Sequence, residues 1–280
     1  MIEAKQKKPI GIILWQGKSL IDGERIMVIA TGVFTKTANR KTGDMIQTYI
    51  LRRDIHPMLA RRLGEDKSIC GNCIHREHST CYVNLCHGPI AVYKAFHDGS
   101  YRPFQADDTE LFKDRYFRIG SYGDPAAVPF EVWDTICKAA KGHTGYTHQW
   151  KRCDQRLKQY CMASVDSIKG YNKDYFQAQL MGWRTFRVRE SLDNKLFANE
   201  FVCPASKEAG VLTNCKKCGA CGGFSQKRKK CPTIIIHGDT MELRWRKKRY
   251  IAMMKNIKNK KKYRRDRKSE RKQFLQVCPY

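Results

Sequence analysis

F-R-I-G-S-Y-G-D (Phe117–Asp124), T-G-Y-T-H-Q-W (Thr144–Trp150) and C-M-A-S-V-D (Cys161–Asp166) repeat one pattern, a short apolar run that closes on polar residues. Runs of this length with β-branched and aromatic residues read as buried strands. Between the first two, Val132, Trp133, Ile136 and Ala140 fall at helical spacing within Pro129–Lys141. After the third, Tyr175–Trp183 reads as another helix, followed by strands at R-T-F-R-V-R-E (Arg184–Glu190), F-V-C-P-A (Phe201–Ala205) and T-I-I-I-H-G (Thr233–Gly238). Strands alternating with helices predict βα units and a parallel sheet. The spacing suits a partial (β/α) barrel, with a doubly wound sheet as the alternative.

In parallel α/β folds the loops converge at the C-terminal edge of the strands, so the polar ends form a candidate site. Those ends hold Ser121, Tyr122 and Asp124, then His148 and Gln149, then Ser164 and Asp166. Arg187, Arg189 and Glu190 follow, then Cys203 and His237. Asp124, His148, Asp166 and Glu190 are candidate acid–base or substrate-positioning groups. Ser121 and Arg187 are candidate cofactor-binding residues. Asp124 and Asp166 also read as ordinary turn or helix-capping residues.

Outward from this region the chain changes character on both sides. Residues 1–60 carry three β-rich runs, Ile10–Trp15, Arg25–Phe34 and Ile46–Arg53, separated by turns such as Asp22-Gly23 and Lys41-Thr42-Gly43-Asp44. They predict a small antiparallel N-terminal β element. Residues 61–240 are the cysteine-rich α/β body, where Pro89 opens a helix ended by Asp98-Gly99. Residues 241–280 form a basic tail.

Two cysteine groups sit in the body. Cys215, Cys218 and Cys221 form C-x2-C-x2-C beside glycines 219, 222 and 223, and Cys203 lies upstream as a fourth ligand. Compact repeats of this kind surround iron–sulfur clusters, whereas zinc sites use well-separated C-x2-C knuckles. Iron–sulfur (4Fe-4S) therefore stands ahead of zinc. The second group is C-x2-C-x7-C-x4-C from Cys70, Cys73, Cys81 and Cys86, with His75, His78 and His87 interspersed. Zinc could use the first three cysteines with Cys86 or a histidine, and a cluster could use the first three alone. Any one of these histidines is by itself a weak signal.

The chain of 280 residues holds 54 Lys and Arg against 27 Asp and Glu, a net charge of +27 that points to a polyanionic partner. Sixteen of the basic residues lie between Arg244 and Lys272 with two acids, Asp266 and Glu270. Lys229 and Lys230 beside the cysteines, with Arg244, Arg246, Lys247, Lys248, Arg249, Lys260, Lys261, Lys262, Arg264 and Arg265, are the expected contacts to DNA or RNA phosphate. No apolar run is long enough to span a membrane, and the N-terminus lacks the apolar core of a signal peptide. The expectation is a cytoplasmic protein with no membrane partner, whose thirteen cysteines are thiols or metal ligands. There is no G-x4-G-K-[ST], G-x-G-x-x-G or H-E-x-x-H.

Taken together, C-G-N-C…C-Y-V-N (70–84), G-S-Y-G-D-P (120–125), T-G-Y-T-H-Q-W, C-M-A-S-V-D, G-W-R-T-F-R-V (182–188), C-P-A-S (203–206) and C-K-K-C-G-A-C (215–221) resemble the phage gene-product-eighty-eight domain family. The resemblance spans roughly residues 65–240. It implies a bacteriophage or mobile-element setting in a bacterial host cytoplasm and a cysteine-rich α/β domain, but no established activity. The architecture is also distantly similar to radical S-adenosylmethionine enzymes. That similarity implies Cys70, Cys73 and Cys81 as the cluster loop, the four later cysteines as an auxiliary site, and S-adenosylmethionine as a cofactor. The usual loop there is C-x3-C-x2-C, which this chain lacks. Three functions follow as expectations: a metal-cluster protein that binds nucleic acid through its tail, a redox or radical enzyme acting on nucleic acid or a nucleotide at the strand ends, or a structural zinc protein without catalysis.

Overall fold

The computed structural model describes residues 8–36, 39–77, 80–167, 172–191, 193–225 and 230–236. Ten strands form one sheet: β1 Gly11–Lys18, β2 Arg25–Thr31, β3 Ile46–Arg52, β4 Tyr101–Pro103, β5 Tyr116–Tyr122, β6 Gly142–Thr147, β7 Met162–Ser167, β8 Thr185–Arg189, β9 Glu200–Val202 and β10 Cys231–Ile235. Their order is β4-β1-β2-β3-β5-β6-β7-β8-β10-β9. β2 pairs antiparallel with both β1 and β3, and every other pairing is parallel, so β2 alone opposes the other strands. The fold is mixed α/β with a mostly parallel sheet that does not close.

The expected N-terminal β element exists, but it is one flank of the common sheet. The joint is β3 with β5, where the register shifts between Gln47 and Tyr49. The Thr48 hydroxyl fills that irregularity, donating to the Arg118 carbonyl at 2.8 Å and accepting from the Gly120 N–H at 2.9 Å. Two further features lay outside the sequence expectation. β4 pairs with β1 at an outer edge, where Pro103 costs no ladder bond. β10 inserts between β8 and β9: its Cys-Pro-Thr-Ile-Ile is nearly all buried, whereas β9 is three residues long and forms the edge.

Helices cover the sheet: α1 Pro57–Leu63, α2 Lys67–Cys70, α3 Ile74–Glu77, α4 Gly88–His97, α5 Phe130–Ala139, α6 Lys173–Leu180 and α7 Cys215–Cys218. α5 buries Phe130, Trp133, Ile136 and Cys137 on one stripe, as its 3.6-residue period requires. The Trp133 indole N–H donates to the Pro125 carbonyl at 3.0 Å, which satisfies its polar atom within the core. No described helix is long and apolar enough to cross a membrane.

His143 on β6 lies inside this core, edge-on to Tyr160 with centroids 5.3 Å apart and tilted against Phe117 at 5.8 Å. Burial depresses its pKa to about 4, against a hydrogen bond with the Gly222 backbone. A folded pKa below the unfolded value of about 6.5 means that the unfolded chain binds the extra proton. The contribution is therefore complete above pH 6.5 and is lost as pH falls toward 4, by up to about 3 kcal/mol. Urea midpoints measured at pH 7 and pH 4.5 should differ less in His143→Gln than in the native chain, because glutamine keeps polarity without titrating.

Candidate metal centre

The strand ends lie along one edge, and the loop after β3 folds over it. α2 ends at Cys70, and Gly71 then adopts φ 55 and ψ −130, a conformation open to glycine alone. A Cβ there would lie 2.4 Å from the Gln149 side chain, which donates to the Cys70 carbonyl at 3.2 Å. The loop is thereby laid directly on the end of β6. Cys70, Cys73 and Cys81 fall within electrostatic reach of one another, and burial pushes all three thiols above their ordinary pKa. Cys86 is exposed, outside this group.

Under the loop, His75 of α3, His148 after β6 and Asp166 of β7 come together. Their ligand atoms lie within 4.8 Å of one another. His75 Nε2 is 2.8 Å from Asp166 Oδ1, and its Nδ1 is 2.9 Å from the Thr80 hydroxyl. His148 Nε2 is 3.9 Å from Asp166 Oδ2 and 3.8 Å from Cys73 Sγ. Burial opposes charge on His75, yet the Asp166 charge and hydrogen bond outweigh it and hold the imidazole above its ordinary pKa. Burial likewise raises Asp166, and His75 more than reverses the effect, so the carboxyl lies below its ordinary value. His75, His148 and Asp166 side chains remain 12%, 22% and 14% exposed, shielded but reachable.

Asp124 stands behind this group. It accepts from the backbone N–H of His148 at 2.7 Å and of Ala126 at 3.0 Å, with Thr147 as a further partner. Burial pushes its carboxyl pKa up against these bonds. Its geometry is that of a turn residue that positions His148.

A second thiol set forms elsewhere. Cys203, directly after β9, interacts electrostatically with Cys215 and Cys218, and Cys221 with all three. Burial pushes Cys203 up to about 11 and Cys221 higher still, against a hydrogen bond from Tyr146. The Asn214 side chain caps α7, which carries Cys215 and Cys218, and Gly145 N–H donates to the Cys221 carbonyl at 2.9 Å. Two cations lie close by. Arg118 donates to the Tyr82 hydroxyl and lies over the Tyr82 and Tyr146 rings, 5.6 and 5.4 Å from their centroids. Lys41 is 5.6 Å from the Tyr82 ring centre. Burial lowers the Lys41 pKa, with Arg118 adding to the effect and Cys215 and Cys203 opposing it.

No family model matches the chain, and no curated protein or solved structure matches it.

The remaining sequence candidates fall outside these groups. Arg187 points to the face opposite Phe186 and Tyr146, where it forms an ion pair with Glu200 at 2.5 Å, the two side chains being 1% and 0% exposed. It also donates to the Lys195 carbonyl and lies over Phe197. Its cofactor-binding reading gives way to a structural one, because its charge is already matched. Ser121 donates to Gln47 at 2.7 Å, and Glu190 has its backbone N–H capped by Asn194. Lys230 is exposed, its carbonyl accepting from Arg184. Lys229, Arg244, Arg246, Lys247, Lys248, Arg249, Lys260, Lys261, Lys262, Arg264, Arg265 and also His78 and His237 lie outside the described residues.

His75 is the candidate ligand that sequence reasoning undervalued. Its partner Asp166 is 91 residues away, so nothing local singles it out from His78 or His87. Glu200→Gln should leave the Arg187 guanidinium buried with a neutral partner and cost about 3–5 kcal/mol in urea unfolding. Metal content of the folded variant should be unchanged, because Arg187 and Glu200 bond to each other and to backbone, not to a thiol.

Proposed function

We propose that this chain is an iron–sulfur protein that binds nucleic acid, with the cluster held by Cys203, Cys215, Cys218 and Cys221. The observation that carries this reading is the arrival of Cys203, from the end of β9, within reach of the C-x2-C-x2-C turn. Around a single tetrahedral zinc, with Zn–S about 2.3 Å, thiolate sulfurs sit about 3.8 Å apart. Among the described residues no three of these thiols lie within 4.8 Å of one another. A polynuclear cluster places its thiolates on different irons and accepts a wider spacing. The arrangement therefore favours a cluster over one zinc ion.

Charge supports the same reading. The free thiols of Cys203 and Cys221 are protonated at neutral pH, since burial raises their pKa, and metal binding would displace those protons. The thiolates so formed would face Lys41, which also has Glu208 for company, and Arg118, whose close company is phenols and thiols. A barrel-like curl of the sheet fits as well. Lys41, ahead of β3, and Cys203, beyond β9, interact although five strands separate β3 from β9 in the sheet order. A flat sheet would hold them far apart.

Nucleic acid is the partner that the net charge of +27 favours, and the basic run from Arg244 to Lys272 is its proposed anchor. A second reading, a redox enzyme, rests on one residue: Tyr82 lies within electrostatic reach of both Cys81 and Cys215, so a single phenol senses both thiol groups. In that reading the strand-end site adjoins the redox centre.

Anaerobically purified protein should contain iron with matching labile sulfide, and Cys218→Ser or Cys221→Ser should remove most of both. Zinc without sulfide would overturn the cluster. Binding to duplex DNA or RNA should weaken steeply with salt, log K falling linearly with log salt concentration, and removal of residues 241–280 should flatten the slope. An unchanged slope would exclude the tail as the anchor.

A further inference from the structure

We infer that His75, His148 and Asp166 form a mononuclear zinc site separate from the thiol cluster. Three protein ligands of this type with an open fourth position are the arrangement of catalytic zinc centres. With Zn–N and Zn–O about 2.0–2.2 Å, a tetrahedral site has ligand–ligand edges of about 3.3–3.6 Å. His75 Nε2 lies 2.8 Å from Asp166 Oδ1 and His148 Nε2 3.9 Å from Asp166 Oδ2, so each imidazole faces its own carboxylate oxygen at a distance on either side of that range. Small side-chain rotations would equalise them. The two imidazoles meet at 70° with centroids 5.7 Å apart, so their Nε2 atoms can share one ion without the rings stacking.

The surroundings are those a zinc site requires. Ligating histidines are held by a hydrogen bond at the other ring nitrogen, and His75 Nδ1 has the Thr80 hydroxyl at 2.9 Å. His148 is fixed through its backbone, which donates to Asp124. Asp166 projects from the C-terminal end of β7, and each of the three ligands comes from a different segment, as in a site assembled by folding. Cys73 Sγ, 3.8 Å from His148 Nε2, flanks the open position. Without metal, one proton bridges His75 Nε2 and Asp166 Oδ1 as an ordinary hydrogen bond of 2.8 Å. Zinc would take the place of that proton, releasing it to solvent.

The site differs in character from the thiol set. Two imidazoles and a carboxylate suit zinc, whereas thiolates suit iron–sulfur clusters. Side-chain exposures of 12–22% leave room for a water or an oxygen ligand at the fourth position.

The test is a zinc competition titration against a chromophoric chelator, on full-length protein, with labile sulfide and circular dichroism recorded on the same samples. Native protein should bind one zinc per chain beyond any held by cysteines. Asp166→Asn and His148→Gln should each weaken it by about 100-fold or more, and Thr80→Val by about 10–100-fold, as outer-shell partners do. Sulfide per chain should not change. Zinc should also protect His75 and His148 of the unmodified protein from diethyl pyrocarbonate, a measurement that stands even where a variant fails to fold. Unaltered zinc affinity in both ligand variants, or equal histidine modification with and without zinc, would overturn the site. Loss of sulfide together with zinc would assign these residues to the cluster and overturn it too.

Discussion

One buried carboxylate, Asp124, ties together the three pieces of chain on which the strand-end site depends. Its backbone N–H donates to the Ile69 carbonyl at 2.6 Å, which fixes the turn that delivers Cys70. Its two oxygens accept from Ala126 and His148, which fixes the ends of β5 and β6 relative to each other. Burial makes this carboxylate costly, and the hydrogen bonds only partly offset the cost, since its pKa stays raised. A residue held at such expense is doing structural service for its neighbours. Without it, His148 and the cysteine loop would have no common reference.

How much of this was legible before folding differs from element to element. The apolar runs ending in polar residues located most strands of the parallel region, because a strand buried on both faces leaves a continuous signature. The polar ends located the site edge for the same reason, since parallel strands present one kind of end together. What could not be read was order. β9 and β10 lie consecutively in sequence but are exchanged in space, and three residues of β9 contain too little pattern to reveal an edge. β4, equally short, was missed altogether. The pairing of His75 with Asp166 has no local trace, as it depends on α3 coming to rest against the end of β7. Arg187 was misread for the opposite reason: a charged residue at a strand end suggests function, and only the alternation of β8 reveals that it faces Glu200.

The second thiol set raises an electrostatic question that the first does not. Burial opposes the charge on Arg118, and Tyr82, Tyr146, Cys215 and Cys221 support it only when they are ionised. Its neighbours are groups that are neutral at ordinary pH unless a metal takes their protons. A buried cation whose company is neutral thiols and phenols is poorly compensated. On the proposed reading the compensation arrives with the cluster, whose thiolate ligands bring negative charge next to Arg118 and Lys41. The thiol region would then be electrostatically complete only when loaded, and the aromatic faces of Tyr82 and Tyr146 would serve as partial compensation in the interim.

The same reasoning separates the two proposed centres by ligand chemistry. Cys203, Cys215, Cys218 and Cys221 offer sulfur alone, beside fixed positive charge, an environment that favours an anionic cluster. His75, His148 and Asp166 offer nitrogen and oxygen, and their one fixed charge is negative, which favours a divalent cation. Cys73 lies between the two descriptions. Its sulfur is grouped by sequence with Cys70 and Cys81 but contacts His148 in space. The C-x2-C spacing that made Cys73 look like one arm of a thiolate loop therefore has a second physical explanation: the turn that places Cys70 against Gln149 also carries Cys73 and His75 over the ends of β6 and β7. The spacing records the path of the loop across the sheet edge, and the identity of the metal is decided by what that path meets there.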